Sequence, residues 1–252
     1  MMLRKYGCVC YELLRPSQIR EIRGKAPIAY IVTGALEWHG HQNPLGCDSL
    51  KAHAVCCEAA LRFGGVVLPP IHVGHMIKDS EPNKNWGPRG WEGYTLGYNK
   101  IETLEAAVAG HARALVAAGW KVIAGVTGHD IDEQRDAMER AILSAVEGTP
   151  ARGFAVKEGG LHNPTDEIPL RMDHAGAWET SCMLYAYPEA VDLTELTSRG
   201  LAKDSHITNI DGPEGIAGMS PLTHASAEMG KKIIEGMGIL IGTKAAKMLS
   251  GR

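Results

Sequence analysis

Apolar residues fall along this chain in two kinds of run. Pro27 to Thr33 (PIAYIVT), closed by Gly34, and Trp120 to Val126 (WKVIAGV) are short, continuous and rich in β-branched side chains, which predicts buried strands. VVLPP, ending at Pro69-Pro70, and Gly153 to Val156 predict two more. Between them the spacing is helical. Asp48-Ser49 can cap a helix running through Leu61 to the Gly64-Gly65 break, and Asn99 to Ala118 is amphipathic and stops at Gly119. Further helices are expected at about Asp132 to Val146, Ala177 to Ala186 and Thr223 to Leu249, the last with several glycines. Strands alternating with helices predict an α/β fold, a three-layer α/β/α sandwich with a largely parallel central sheet, in a single domain over residues 1–252. The segments Ile77 to Tyr98 and Ser198 to Pro221 are rich in Gly, Pro, Asp and Asn, and loops of that length are usually functional or mobile.

Composition narrows the partner. At 44% hydrophobic and 22% charged residues, with a net charge of −3, the chain has a normal core and no basic footprint for nucleic acid. No apolar run approaches the roughly 20 residues that span a bilayer, so no membrane partner is expected, and a small-molecule substrate is. The six cysteines form no C-x-x-C pair and adjacent Cys56 and Cys57 suit buried helix positions, which reads as reduced thiols in a cytoplasmic protein.

The chemistry concentrates at predicted strand ends. GALEWHGHQNPLGCDSL, Gly34 to Leu50, brings Glu37, His39 and Asp48 after the first strand, and Thr127-Gly128-His129-Asp130 follows a later one. Ligand sites in open α/β sheets lie beyond such ends. A third cluster, Arg171 to Ser181, offers Asp173, His174 and Glu179. Imidazole with carboxylate and no thiolate suits Zn²⁺, Mn²⁺ or Fe²⁺, and two ions sharing one carboxylate would acidify a water between them. Simpler roles compete: Asp48 as a helix cap, Glu179 as a first-turn glutamate favoured by the helix dipole, His129-Asp130 as a turn. Cys47 is better read as a buried thiol than as a nucleophile, and His41, His53, His72 and His75 as structural.

These segments carry a resemblance. GALEWHGHQNPLGCDSL resembles the E-x-H-G…D motif of the creatininase family and VTGHD its N-G-H segment. DHAGAWETSCMLYAYPEAVDL resembles its E/D-H-(A/G)-G-x-x-E-T-S block, and GIAGMSPLTHASAEMGKKIIEG its closing helix; the matches run in order from Gly34 to Gly236. The resemblance implies two divalent ions per subunit, Glu37 and His129 on one, His39 on the other and Asp48 bridging. Glu179 would complete the second ion's shell, His174 would shuttle protons and Asp173 would orient it. Creatininase itself has a glutamate two residues beyond the histidine matched by His129; Ile131 stands there, which favours Glu179 as ligand, with Asp130 or Asp132 as substitutes. Trp86 and Trp91 are the candidate pocket walls. The implied reaction is hydrolysis of a small cyclic amide at a non-peptide C–N bond, by a homo-oligomer, often a hexamer. Creatinine itself is disfavoured because Phe154 to His162 and Leu170 to Asp173 contain no tryptophan. The alternatives are ring-opening C–C hydrolysis of a cyclic diketone from inositol breakdown and, in another class, a noncatalytic metal-binding assembly protein.

Overall fold

A computed structural model describes residues 6–75, 100–200, 207–209 and 214–251. Its centre is a four-stranded sheet of β1 (Ile28–Thr33), β2 (Val66–Val67), β3 (Val122–Thr127) and β4 (Arg152–Lys157), in the order β2-β1-β3-β4 and parallel throughout. Every residue of β1 and β3 is buried, as expected for strands covered on both faces. Alternate side chains enter different cores. Tyr30, Val32 and Val126 pack under α2 (Cys47–Phe63), α5 (Ala177–Ala186) and α8 (Ala227–Ser250). Ile31, Ile123 and Ala155 pack under α1 (Pro16–Lys25), α3 (Ile101–Ala117) and α4 (Asp132–Val146). This is the α/β/α arrangement with a parallel sheet that the sequence predicts.

Three boundaries differ. The second helix starts at Cys47 with Gly46 at its cap, so Asp48 lies inside the first turn and caps nothing. The closing helix starts at Ala227, where Ser226 Oγ accepts the Met229 N–H at 3.1 Å; Thr223 belongs to a separate turn, α7 (Pro221–His224). Beyond α6 (Thr194–Ser198), the region expected as one long loop carries an antiparallel pair, β5 (Ile207–Asn209) with β6 (Ile216–Gly218). Strands of three residues leave too short a pattern to read. Trp86 and Trp91 lie outside the described residues.

Glycines of α8 allow close packing inside the chain. A Cβ at Gly230 would overlap the Ser181 carbonyl, and one at Gly238 or Gly242 would crowd Glu58 or Phe63. All six cysteines are free thiols. No helix among the described residues is long and apolar enough to cross a membrane.

The topology creates one crevice. β1 is followed by a helix on one face and its neighbour β3 by a helix on the other, so the loops leaving these adjacent strands diverge. Such a switch point is where open α/β sheets hold ligands.

Candidate metal centre

Gly34 and Gly128 close the two strands at the switch point. A Cβ on Gly128 would overlap the Asp48 carbonyl oxygen, and one on Gly34 would press on the Ser49 amide. Because both are glycine, the first turn of α2 rests on the strand ends and its Asp48 reaches between His39 and His129. Asp48 Oδ2 is 3.0 Å from His129 Nδ1, and Oδ1 is 3.1 Å from His39 Nε2. Glu37 Oε2 stands 3.1 Å from His129 Nδ1, and Glu179 Oε2 3.3 Å from His39 Nε2. The fold thus brings all five expected residues together, each imidazole facing two carboxylates and Asp48 presenting one oxygen to each ring.

The outer nitrogens set the rings. His39 Nδ1 bonds the Glu37 carbonyl and His129 Nε2 the His75 carbonyl, each at 3.1 Å. A carbonyl only accepts, so those nitrogens carry hydrogen and the inner ones are left facing the carboxylates, as in metal-binding histidines. Gln134 holds this frame in place: its Oε1 accepts the His75 N–H at 2.9 Å, and its amide donates to Thr127 Oγ1 at 2.8 Å.

A buried carboxylate needs a counter-charge or donors. Glu37 is fully buried, and among the described residues the one charge partner of its oxygens is His129, whose Nδ1 is 3.1 Å from Oε2. Oxygens of Glu37 and Asp48 and a nitrogen of His129 lie within 4.8 Å of one another, and this O,O,N donor set fits a divalent ion. The other side of Asp48 is different. Lys51, which sequence reasoning missed, is fully buried there with Nζ 2.9 Å from Asp48 Oδ1, 2.5 Å from Glu179 Oε1 and 2.7 Å from the Gly128 carbonyl. A lysine three residues after Asp48 reads in sequence as a solvated helix position; only its tertiary surroundings reveal it.

The electrostatics follow from this crowding. Burial works against charge on every group, yet Lys51 and His39 hold Asp48 well below the carboxylate range, and Asp48 and Glu179 hold Lys51 well above the lysine range. Lys51 and His39 likewise lower Glu179 to about 2 against the cost of its burial. Against burial, Glu37 and Asp48 raise His129 to about 10. His174 is lowered by burial and by His39, whose ring centroid is 4.5 Å away.

Asp173 departs from the expected role. Its carboxylate accepts the N–H of Trp178 at 2.9 Å and of Glu179 at 3.3 Å, so it caps α5, and burial and then Glu179 push it up to about 8. His174 is positioned instead through its backbone, which exchanges hydrogen bonds of 2.9 and 2.8 Å with Ala217. Between them and α5, Ala175 has φ 57°, the left-handed region that costs an L-residue roughly 1–2 kcal/mol. Its N–H donates to Glu179 Oε2 at 2.6 Å, which ties that strained turn to the site.

Nearby candidates fall away. Asp130 and Asp132 turn outward to Lys157 Nζ, at 2.6 and 3.1 Å, while Ile131 is buried. His72 pairs with Ser49 Oγ at 2.7 Å, and His53 lies among Cys10 and Cys57. Cys47 is buried and its thiol pushed well above its usual range by burial, with Sγ within 4.8 Å of ligand atoms of His39 and Glu179. A cavity of about 520 Å³ opens onto Glu37, Asp48, His129 and His174, walled by Ile131, Met172, Ala217 and Gly218.

Residues 12–239 match the family model for creatininase, described as creatinine amidohydrolase. The chain belongs to the creatininase family of amidohydrolases. A creatinine amidohydrolase from Pseudomonas putida is 25% identical over 190 residues, 66% of this chain and 66% of that protein, so the match spans about two thirds of the relative. A creatininase described in its manganese form superposes with a TM-score of 0.72 at 22% identity, covering 94% of this chain and 96% of that one. A glutamate-to-glutamine mutant creatininase of Zn–Zn type gives 0.71 at 23% identity, over 93% of this chain and 96% of its own.

Proposed function

We propose that this chain is a metal-dependent hydrolase that opens a small cyclic amide at a non-peptide C–N bond. The fully buried carboxylate of Glu37, gathered with Asp48 against the same nitrogen of His129, carries the proposal. Glu37, Asp48 and His129 would hold a divalent ion, zinc or manganese by likeness to the solved creatininases. Bound there, the ion would polarise a carbonyl oxygen and supply hydroxide near neutral pH.

His39 and Glu179 complete the expected ligand set on the far side of Asp48, against Lys51. His174 opens into the same cavity, and its lowered pKa leaves it neutral at pH 7, ready to take a proton from the attacking water. The proton can then pass to the leaving nitrogen as the tetrahedral intermediate collapses. Asp173 supports this indirectly, by capping the helix that carries Glu179. The working protein is proposed to be a homo-oligomer, with Ile239 and Leu240 of α8 exposed at 43% and 38%.

Purified protein loaded with Zn²⁺ or Mn²⁺ is expected to open cyclic amides. Turnover of cyclic diketones instead would move the reaction to C–C cleavage, and inertness toward both would sink these substrate classes. Glu37→Gln and His129→Ala are expected to lose bound metal and at least about a hundredfold in kcat/KM. Retention of full metal and full activity by both would show that the site lies elsewhere. An unchanged activity in His174→Ala would point to the noncatalytic reading.

A further inference from the structure

The two sides of Asp48 are built differently. On the His129 side, the oxygens of Glu37 meet no donor among the described residues other than His129 Nδ1, 3.1 Å from Oε2, the nitrogen that an ion would bind. On the His39 side donor atoms also gather, of His39 with Cys47 and Glu179 and of His39 with Glu37 and His174, but the carboxylates there are already served: Glu179 Oε1 and Asp48 Oδ1 accept from Lys51, and Glu179 Oε2 accepts the Ala175 N–H. Lys51 is saturated too, because an ammonium has three hydrogens and Asp48, Glu179 and the Gly128 carbonyl take them. No further carboxylate reaches this side from the β3 loop, since Asp130 and Asp132 bond Lys157 and Ile131 lines the cavity.

We propose that Lys51 is a built-in cation that takes the place of a second metal ion, so that the centre holds one divalent ion, at Glu37, Asp48 and His129. This rests on the metal-hydrolase reading above and sharpens it. A second ion on the His39 side would have to displace an ammonium already held by three acceptors where water is excluded, which is strongly unfavourable. Lys51 would also hold Asp48 and Glu179 in place whether or not the ion is bound, something a dissociable second metal cannot do.

The test is Mn²⁺ content per chain, by elemental analysis after dialysis of the loaded protein, with electron paramagnetic resonance of the same samples. Mn²⁺ suits carboxylate and imidazole, and avoids the separate buried thiol group of Cys10, His53 and Cys57. Wild type is expected to hold one Mn²⁺ with an uncoupled six-line spectrum. Lys51→Met, which removes the charge at similar length, is expected to take up a second ion and show exchange coupling. Two ions in wild type, or a folded Lys51→Met that stays at one, would overturn the proposal. Should Lys51→Met fail to fold, Glu179→Gln decides: one ion with an unchanged spectrum fits, while loss of that ion would make Glu179 one of its ligands and overturn the proposal. Wild type without any bound Mn²⁺ would instead remove the metal-hydrolase reading itself.

Discussion

Glu37, His129 and Lys51 show how burial converts ordinary side chains into a reactive set. Each is nearly or wholly removed from water, so each must find its counter-charge among its neighbours. For His129 this has a measurable consequence. Its folded pKa, about 10, lies above the ordinary 6.5, so in metal-free protein its contribution to stability is complete below pH 6.5 and is lost as pH rises through 10. An ion at Nδ1 must displace that proton. Calorimetric titration at pH 7 in buffers of different ionisation enthalpy is therefore expected to show proton release on Zn²⁺ binding, with affinity rising about tenfold per pH unit toward pH 10. Affinity that is flat with pH would mean His129 is not a ligand. At this scale the sequence named Glu37, His39, Asp48, His129 and Glu179 because their types and order are chemical. It missed Lys51 and assigned Asp173 to His174, because a side chain's partner is set by what folds against it.

Elements deliver these residues through close contact at two strand ends. Gly128→Ala would drive a methyl into the Asp48 carbonyl, so we expect a loss of about 1–3 kcal/mol together with weaker metal binding, read by urea denaturation and metal titration. Gly110 in α3 is the control: it is exposed, and a Cβ there would meet open space, so Gly110→Ala should gain about 0.5–1 kcal/mol with metal binding unchanged. Equal effects at both positions would refute the close-contact account. Period and punctuation made β1, β3, α3 and α4 legible, since the strand runs are continuous, the helical patterns are long, and each stops within two residues of a glycine. The boundaries at Cys47 and Ala227 were not, because Gly46 rather than Asp48 stands at the first cap and Ser226, three residues past the expected start at Thr223, supplies the second.

Across the whole molecule, the site draws on the β1 loop, α2, the β3 loop and α5, and so it couples to global stability. An ion at a hundred times its Kd adds about 2.7 kcal/mol, which for a chain of this size raises Tm by roughly 5–10 °C. Chelation should remove that increment in wild type and change nothing in Glu37→Gln. Sedimentation should give a multiple of 27.1 kDa, six by likeness to the family; a monomer at working concentration would exclude the oligomer. The sequence by itself determined the layered α/β fold and the kinds of ligand, because apolar period dictates burial and residue type dictates chemistry. Only the tertiary structure decided which oxygens gather at His129 and which face Lys51. That choice depends on distances across Asp48, between segments as far apart in the chain as Lys51 and Glu179.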